Sequence, residues 1–147
     1  TLADPRPAAM KDRLNASVKF REAFRPFAPS ILAERAPDYF EGCKFSPFML
    51  RVHPTRPERL DEARAVTHVD GGARVQTVSR DQNPDYYRLI EAFGAETGTP
   101  MVLNTSFNIR GEPIVNSPGD AVKCYLTTGM DFLVLGPFLL IKDERHL

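Results

Sequence analysis

Residues 101–112 change abruptly from apolar to polar side chains, and this change constrains the fold more than any other segment. Met101 to Leu103 can be buried on both faces of a sheet. Polar groups follow where that strand would end, at Asn104, Thr105, Ser106, Asn108 and Arg110. Open α/β sheets bind ligands just beyond their strand ends. The segment therefore predicts a buried strand leading into a ligand site, with Ser106, Asn108 and Arg110 on one face while the chain stays extended.

A second cluster, residues 18–29, alternates cations with phenylalanines. Because its two prolines argue against a helix, we predict an extended chain in which Lys19 and Arg21 share one face and Phe20 points into the core. Phosphate suits such a pair, since arginine offers a planar fork of donors and lysine a compact charge. The alternative is a solvated strand face above core phenylalanines.

Periodicity and turn residues predict the elements around this cluster. A short helix over 7–17 begins near a proline, which suits the first turn of a helix. Strands at about 26–32 and 47–53 follow, and residues 56–62 form a charged loop.

A hairpin is predicted next, because residues 65–69 and 73–78 alternate like strands on either side of Asp70-Gly71-Gly72. The turn explains Asp70 better than metal binding does. His68 lies in the first of these strands, where it is either a hydrogen-bonded strand histidine or a substrate contact.

Asn83 and Ser117 are each predicted to cap a helix. The core side of the first helix is an apolar stripe at Tyr86, Leu89, Ile90 and Phe93. The core side of the second is the stripe Ala121, Cys124, Tyr125 and Thr128. Strands at 132–135 and 138–142 follow.

Strands outnumber helices, and hairpins mix with helical crossovers, so the fold class is α/β or α+β with a mixed sheet. A chain of 147 residues with 42% hydrophobic content can bury one substantial core. We therefore predict a single domain over residues 1–147.

Charge is balanced overall, with nineteen basic and nineteen acidic residues, which argues against a broad nucleic-acid or membrane surface. Residues 1–25 nevertheless hold six Lys or Arg against three acids, enough local positive potential for a small phosphate ligand. No apolar run approaches about 18 residues and no signal peptide is evident, so we expect no membrane span and a cytoplasmic location.

Two cysteines, Cys43 and Cys124, and three scattered histidines are too few for a zinc site, and we predict buried thiols and no metal ligands. A phosphate-binding loop of the type Gly-x-x-x-x-Gly-Lys does not occur in the sequence. ATP binding therefore cannot be argued from such a loop.

Lys-x-Arg at 19–21 and Ser-x-Asn at 106–108 resemble the signature pair of the YrdC-like ATP-binding fold. Longer segments, at 9–30, 67–78 and 102–115, resemble the C-terminal domain of O-carbamoyltransferases of the NodU/CmcH type. The resemblance extends from about residue 2 to residue 142.

This resemblance implies a twisted, partly open mixed β-sheet flanked by helices. It also implies that the domain activates carbamoyl phosphate with ATP, accompanied by Mg²⁺, to give carbamoyl-adenylate. A larger N-terminal domain of the actin/Hsp70-like superfamily, in the same polypeptide, then transfers the carbamoyl group to a hydroxyl. The chain resembles a domain excised from such a protein.

Site residues are carried over from the matching positions of the family pattern. The resemblance implies that one set acts in catalysis: Lys19, Arg21, Arg74, Ser106 and Asn108. It implies that a second set contacts substrate: Arg25, His68, Thr105 and Arg110. Fixed cations would offset the repulsion between ATP and carbamoyl phosphate, and no covalent nucleophile is expected.

Two alternatives stay open. A threonylcarbamoyl-adenylate synthase for tRNA modification shares both three-residue motifs, although the longer Arg-Pro-Phe-Ala-Pro and Thr-His-Val-Asp segments favour a carbamoyltransferase. A non-catalytic module that binds nucleotide or RNA is the other alternative, and the absence of a long basic face argues against RNA.

Overall fold

The computed structural model describes residues 1–142, and the chain forms two compact units. The first unit combines Thr1–Lys11 with Phe24–Thr105, and the second combines Asp12–Ala23 with the chain from Ser106 onward. The prediction that the whole chain forms a single domain stays a prediction.

A four-stranded mixed sheet forms the centre of the first unit. Its strands, in spatial order, are β1 (Leu2–Ala3), β6 (Met101–Asn104), β2 (Ala28–Leu32) and β5 (Gln76–Val78). Strand β6 runs antiparallel to both neighbours, whereas β2 and β5 are parallel. All five residues of β2 and the first three of β6 are buried, as their apolar sequences predict. The predicted mixed sheet is confirmed.

Helix α3 (Pro84–Thr97) covers one face of this sheet. Its buried Tyr87 and Ile90 pack with strand residues Leu32, Val78 and Val102. The side chain of Asn83 accepts a hydrogen bond from the Tyr86 N–H, as the capping pattern predicts, and Gly98 ends the helix with a φ of 78°. In the predicted apolar stripe only Leu89 is wrong, since its side chain is 47% exposed.

The helical elements that precede α3 in the chain are short. They are α1 (Ala9–Leu14), a π-helical turn (Asn15–Lys19), α2 (Ala36–Tyr39) and two 3₁₀ turns, Ala33–Arg35 and Pro57–Glu62. The second 3₁₀ turn occupies the predicted charged loop. The predicted strand at 47–53 is wrong, because only its last residue is extended, in β3 (His53–Pro54).

The predicted hairpin around Asp70-Gly71-Gly72 is also wrong. Strand β4 (Gly72–Ala73) pairs with β3, and β5 joins the central sheet instead of pairing with residues 65–69. The turn itself is present, since the Gly72 N–H donates to Asp70 Oδ1 over 2.9 Å. Asp70 is therefore a turn residue, as predicted.

Helix α4 (Pro118–Leu126) and the hairpin of β7 (Phe132–Leu135) and β8 (Phe138–Ile141) make up most of the second unit. Ser117 caps the helix by accepting from the Asp120 N–H, and the predicted stripe is buried throughout: Ala121, Cys124, Tyr125 and Thr128. Both cysteines of the chain are buried free thiols, as predicted. Within residues 1–142, no helix has the length and apolar character needed to cross a membrane.

Candidate functional site

The segment that carries Lys19 and Arg21 is helical where an extended chain was predicted. Helix α1 continues into the π-helical turn Asn15–Lys19, so Lys19 is the last helical residue. The prediction failed because the prolines at 26 and 29 restrict the backbone beside them and do not prevent a helix from reaching residue 19.

Phe20 follows this turn in the left-handed conformation, with φ 48° and ψ 49°. Its side chain is 43% exposed, so the prediction that Phe20 anchors a strand in the core is wrong. A non-glycine residue in this region costs about 1–2 kcal/mol. Such strain, like a π-helical turn, is found preferentially at functional sites.

The Lys19 side chain lies inside the second unit against the loop that begins at Ser106. Its Nζ lies 2.5 Å from the Ser106 carbonyl oxygen and 3.0 Å from Ser106 Oγ. It also lies 2.8 Å from Asn108 Oδ1 and 3.4 Å from the Asn108 carbonyl oxygen. The two motifs that the sequence analysis paired are therefore in direct contact.

Every acceptor around the Lys19 ammonium is electrically neutral. The residue is only 6% exposed, and no carboxylate in the described part of the chain pairs with it. Burial, reinforced by the charge of Arg21, lowers the pKa of Lys19 to about 8. A buried ammonium without a counter-charge is a site that a bound anion would stabilise.

The loop after β6 turns instead of staying extended, but its polar side chains still converge. Ser106 Oγ donates to Asn108 Oδ1 over 2.7 Å, and Asn108 Nδ2 donates to the Glu112 carbonyl oxygen over 3.0 Å. These bonds hold the acceptors that face Lys19 in place.

Two arginines flank this contact. The Arg21 backbone N–H donates to the Asn15 carbonyl oxygen over 3.1 Å, and Arg21 Nε donates to Asn15 Oδ1 over 2.9 Å. Arg110 Nη1 donates to the Phe20 carbonyl oxygen over 2.9 Å, and its Nη2 lies 3.6 Å from Glu22 Oε1. The second unit thus brings together five predicted site residues: Lys19, Arg21, Ser106, Asn108 and Arg110.

The other four predicted residues belong to the first unit. Arg25 and Arg74 are exposed and make no hydrogen bond or ion pair with any described residue. His68 is half-buried in the turn before Gly72, and not in a strand as predicted; its Nε2 is buried and lacks a partner within residues 1–142. The Thr105 N–H donates to the Thr1 carbonyl oxygen over 3.0 Å.

Sequence reasoning missed Asn15, which holds Arg21 by its side chain and its backbone. It lies six residues before Arg21, and the π-helical turn Asn15–Lys19, followed by the left-handed Phe20, brings the two side chains together. The predicted end of the helix at residue 17 hid this relation.

No three His, Cys, Asp or Glu side chains among the described residues lie close enough together to hold a metal ion. Among the described residues near the site, the Glu22 carboxylate pairs with Arg110, and Glu112 Oε1 lies 2.8 Å from Lys123 Nζ.

Residues 1–142 match the family model described as carbamoyltransferase C-terminus. The chain is 54% identical to nodulation protein NolO of Bradyrhizobium diazoefficiens, covering 99% of this chain and 27% of that protein. It is 54% identical to nodulation protein NolNO of Sinorhizobium fredii, covering 96% of this chain and 21% of the relative. It is 41% identical to a 3'-hydroxymethylcephem-O-carbamoyltransferase of Amycolatopsis lactamdurans, covering 92% of this chain and 25% of that protein. The chain thus spans about a quarter of the length of these relatives.

Proposed function

This chain belongs to the carbamoyltransferase C-terminus family, and on that premise we propose that it activates carbamoyl phosphate with ATP to form carbamoyl-adenylate. The observation that carries the proposal is the buried Lys19 ammonium, which is surrounded by neutral oxygens of Ser106 and Asn108. A positive site without its own counter-ion suits substrates that are all anions.

The proposed reaction has two steps. Carbamoyl phosphate first loses its phosphate to water and leaves carbamate. A carbamate oxygen then attacks the α-phosphorus of ATP, a P–O bond forms, and pyrophosphate leaves with the electrons of the bond that breaks. Carbamoyl-adenylate and pyrophosphate are the products.

The main obstacle is repulsion between two anions, and the second unit offers cations to reduce it. Lys19 and Arg21 would contact the phosphates, while Arg110 lies beside them through the Phe20 carbonyl. The Ser106 hydroxyl and the Asn108 amide would orient phosphate or carbonyl oxygens. Positioning and electrostatic stabilisation dominate phosphoryl chemistry, so no covalent nucleophile is needed.

Four further residues keep their proposed roles, Arg74 in catalysis and three in contact with substrate: Arg25, His68 and Thr105. Arg25 and Arg74 are exposed cations without ion pairs among residues 1–142, which suits contact with an anion. Buried Nε2 of His68 lacks a partner in the same range.

Mg²⁺ normally shares the charge of nucleotide phosphates in reactions of this type. The described residues do not form a metal-binding cluster of their own. We therefore propose that Mg²⁺ arrives bound to ATP, as is common for this ion, and we assign it no protein ligands.

Transfer to the final acceptor would take place elsewhere in the intact protein. The relatives are about four times as long as this chain, which leaves room for an N-terminal transferase domain of the actin/Hsp70-like type. We propose that this partner domain passes the carbamoyl group to a hydroxyl, and that the intact enzyme works in the cytoplasm.

The test is to incubate the chain with ATP, Mg²⁺ and carbamoyl phosphate and to measure pyrophosphate. We expect pyrophosphate that depends on carbamoyl phosphate, and no carbamoylation of small-molecule hydroxyls by this chain alone. Turnover with threonine and bicarbonate but not with carbamoyl phosphate would replace the proposal by the threonylcarbamoyl-adenylate synthase. Nucleotide or RNA binding without pyrophosphate release would indicate a binding module.

A further inference from the structure

The Ser17 carbonyl oxygen lies in the middle of the π-helical turn Asn15–Lys19, and it does not receive the donor that an α-helix would give it. In an α-helix that donor would be the backbone N–H of Arg21. The Arg21 N–H donates instead to the Asn15 carbonyl oxygen over 3.1 Å. Gly129 supplies a donor in its place, because its backbone N–H donates to the Ser17 carbonyl oxygen over 2.7 Å.

Gly129 also lies too close to the Ser17 side chain to carry a side chain of its own. A Cβ atom at Gly129 would lie 2.6 Å from Ser17 Cβ and 2.7 Å from Ser17 Oγ. Ser17 Cβ is bonded directly to the backbone, so no rotation of the serine side chain would relieve this contact. The φ of Gly129 lies outside the left-handed region. The closeness of Ser17, and not the backbone conformation, therefore requires glycine here.

The end of helix α4 holds Gly129 in place. The preceding residue, Thr128, is 5% exposed, and its Oγ1 donates to the Cys124 carbonyl oxygen over 2.7 Å. The Thr128 carbonyl oxygen accepts a hydrogen bond from Lys142 Nζ. These bonds on both sides of Thr128 give Gly129 a fixed position, against which Ser17 packs.

Lys19 follows Ser17 by two residues in the same turn, so a displacement of Ser17 moves the backbone that carries the ammonium. Carbon atoms pack about 3.5–4.0 Å apart, so a side chain on Gly129 would push Ser17 away by about 1 Å. A misplacement of about 1 Å can cost roughly a hundredfold in rate. The contacts of Lys19 Nζ with Ser106 and Asn108, which are 2.5–3.4 Å long, therefore depend on this packing.

We propose that Gly129 is a positioning residue that fixes Ser17 by its backbone N–H and by its lack of a side chain, and so places Lys19 for a phosphate-bearing substrate. Gly129 acts through Ser17 and not by contact with the substrate. The inference rests on the proposed function, because the placement of Lys19 matters to catalysis only if an anionic substrate binds there.

The first test compares Gly129→Ala with Gly119→Ala. Gly119 is the matched control, since it is an exposed glycine of the same unit and its φ also lies outside the left-handed region. Outside the backbone of its own helix, the atom nearest to an added Cβ is Ser117 Oγ at 3.8 Å. We expect Gly129→Ala to lower kcat/KM for pyrophosphate formation by about tenfold or more, and Gly119→Ala to change it less than about twofold. A kcat/KM of wild-type size in Gly129→Ala would overturn the proposal.

The pKa of Lys19 distinguishes positioning from a purely structural role, and NMR titration of the folded protein measures it without any substrate. In wild type, burial lowers this pKa to about 8. In Gly129→Ala the displaced turn should open the ammonium to water, so its pKa should rise toward the ordinary value of 10.5. A lower free energy of unfolding, with this pKa and kcat/KM unchanged, would make Gly129 a packing residue only.

Ser17→Gly provides a rescue of Gly129→Ala. It removes Ser17 Cβ and Oγ, the two atoms that an added Cβ would meet most closely, and keeps the carbonyl oxygen that accepts from the Gly129 N–H. The contact that remains, with the Ser17 carbonyl oxygen, would be 3.4 Å long. We expect Gly129→Ala to lower kcat/KM less than about threefold in the Ser17→Gly background. An equal loss in both backgrounds would overturn the proposal, because the contact with Ser17 would not be its cause.

Failure of this inference can be told from failure of the proposed function. If wild type forms carbamoyl-adenylate and Gly129→Ala does so with the same kcat/KM, only the inference is wrong. If wild type makes no pyrophosphate, the adenylation proposal is wrong, and the pKa of Lys19 and calorimetry with orthophosphate then test Gly129. A raised pKa and weaker orthophosphate binding in Gly129→Ala, but not in Gly119→Ala, would support its role. A pKa of Lys19 equal to that of wild type would overturn it.

Discussion

Two regions of this chain are both buried, but one buries apolar side chains and the other buries polar and charged groups. In the first unit, Ile31, Met101 and Leu103 have no exposed surface. Burial of apolar surface stabilises the fold by about 25 cal/mol for each Å² removed from water. In the second unit, Asn15 and Lys19 are 2% and 6% exposed, and they bury an ammonium and an amide donor that has no partner within residues 1–142. The first region lowers the free energy of the folded chain, whereas the second raises it. Such a cost is typical of sites kept for binding or catalysis.

Leu103→Ala in the first region is the strongest test of the difference between the two regions. We expect the free energy of unfolding to fall by about 2–5 kcal/mol, because the substitution leaves a cavity in a fully buried strand. Urea unfolding measures this loss. Michaelis constants measured on the molecules that stay folded should not change. Ile31→Val is the matched mild variant and should cost about 0.5–1.5 kcal/mol.

Lys19→Met should have the opposite effects: it should lower activity and leave the free energy of unfolding largely unchanged. Methionine keeps much of the length of the side chain and removes the buried charge, so the fold should survive. Loss of a charge-assisted contact should lower kcat/KM by roughly ten- to a hundredfold, equivalent to about 1.5–3 kcal/mol.

Lys123→Met is the control, because Lys123 is an exposed cation paired with Glu112 in the same unit. It should leave kcat/KM within about twofold of wild type. If Lys19→Met instead retained activity and unfolded more easily, the ammonium would be a structural element that holds the loop at Ser106.

The buried strands of the first unit could largely be predicted from the sequence, whereas the conformation of the segment that carries Lys19 and Arg21 could not. The apolar composition of Met101–Leu103 is enough to predict that this segment is buried. A helix cap such as Asn83 depends on a hydrogen bond within a few residues, so a local sequence pattern is enough to predict it. Strand pairing was harder to predict. Strand β5 (Gln76–Val78) pairs with β2, more than forty residues earlier in the chain, and the alternation of residues within a strand does not specify such a distant partner.

The candidate site shows the same limit. The residue types of Lys19, Ser106 and Asn108 predicted an anion site, but the predicted face of an extended strand is a π-helical turn followed by a left-handed Phe20. That conformation is favoured by contacts such as Lys19 with Ser106, 87 positions apart, which no local pattern contains. Asn15 was missed because the helix was predicted to end at residue 17, before the turn that brings Asn15 to Arg21.

The pH dependence of stability and of phosphate affinity should reveal the buried Lys19 of the second region. Lys19 has a pKa of about 8 in the folded chain, below its ordinary value of 10.5, so the folded state loses this proton first as pH rises. The cost of burying the charge then disappears, and stability should increase between about pH 8 and 10.5. Phosphate affinity should fall about tenfold between pH 7 and 9, because the charged fraction of Lys19 falls by that factor.

The difference between wild type and Lys19→Met isolates this effect from other titrations. The nearby Cys124 thiol has its pKa raised by burial and should ionise later than Lys19. Lys19→Met should lack both the gain in stability and the loss of affinity. Parallel pH profiles in the two proteins would assign the titration to another group.

The smallest expected effect concerns Arg74, an exposed residue of the first unit without an ion pair among the described residues. Its sequence context, Ala-Arg-Val-Gln-Thr-Val, resembles carbamoyltransferases and not the tRNA-modifying synthases. If Arg74 clamps carbamoyl phosphate, Arg74→Ala should raise the Michaelis constant for that substrate by about fivefold, because water competes at an exposed contact. The constant for ATP should change far less. Arg74→Lys should restore affinity only in part, since a point charge cannot reproduce the two parallel bonds of a guanidinium on a phosphate. Stability should stay within about 0.5 kcal/mol of wild type in both variants. Equal changes in the two Michaelis constants, or none, would make Arg74 an ordinary surface residue and confine the substrate-binding cations to the second unit.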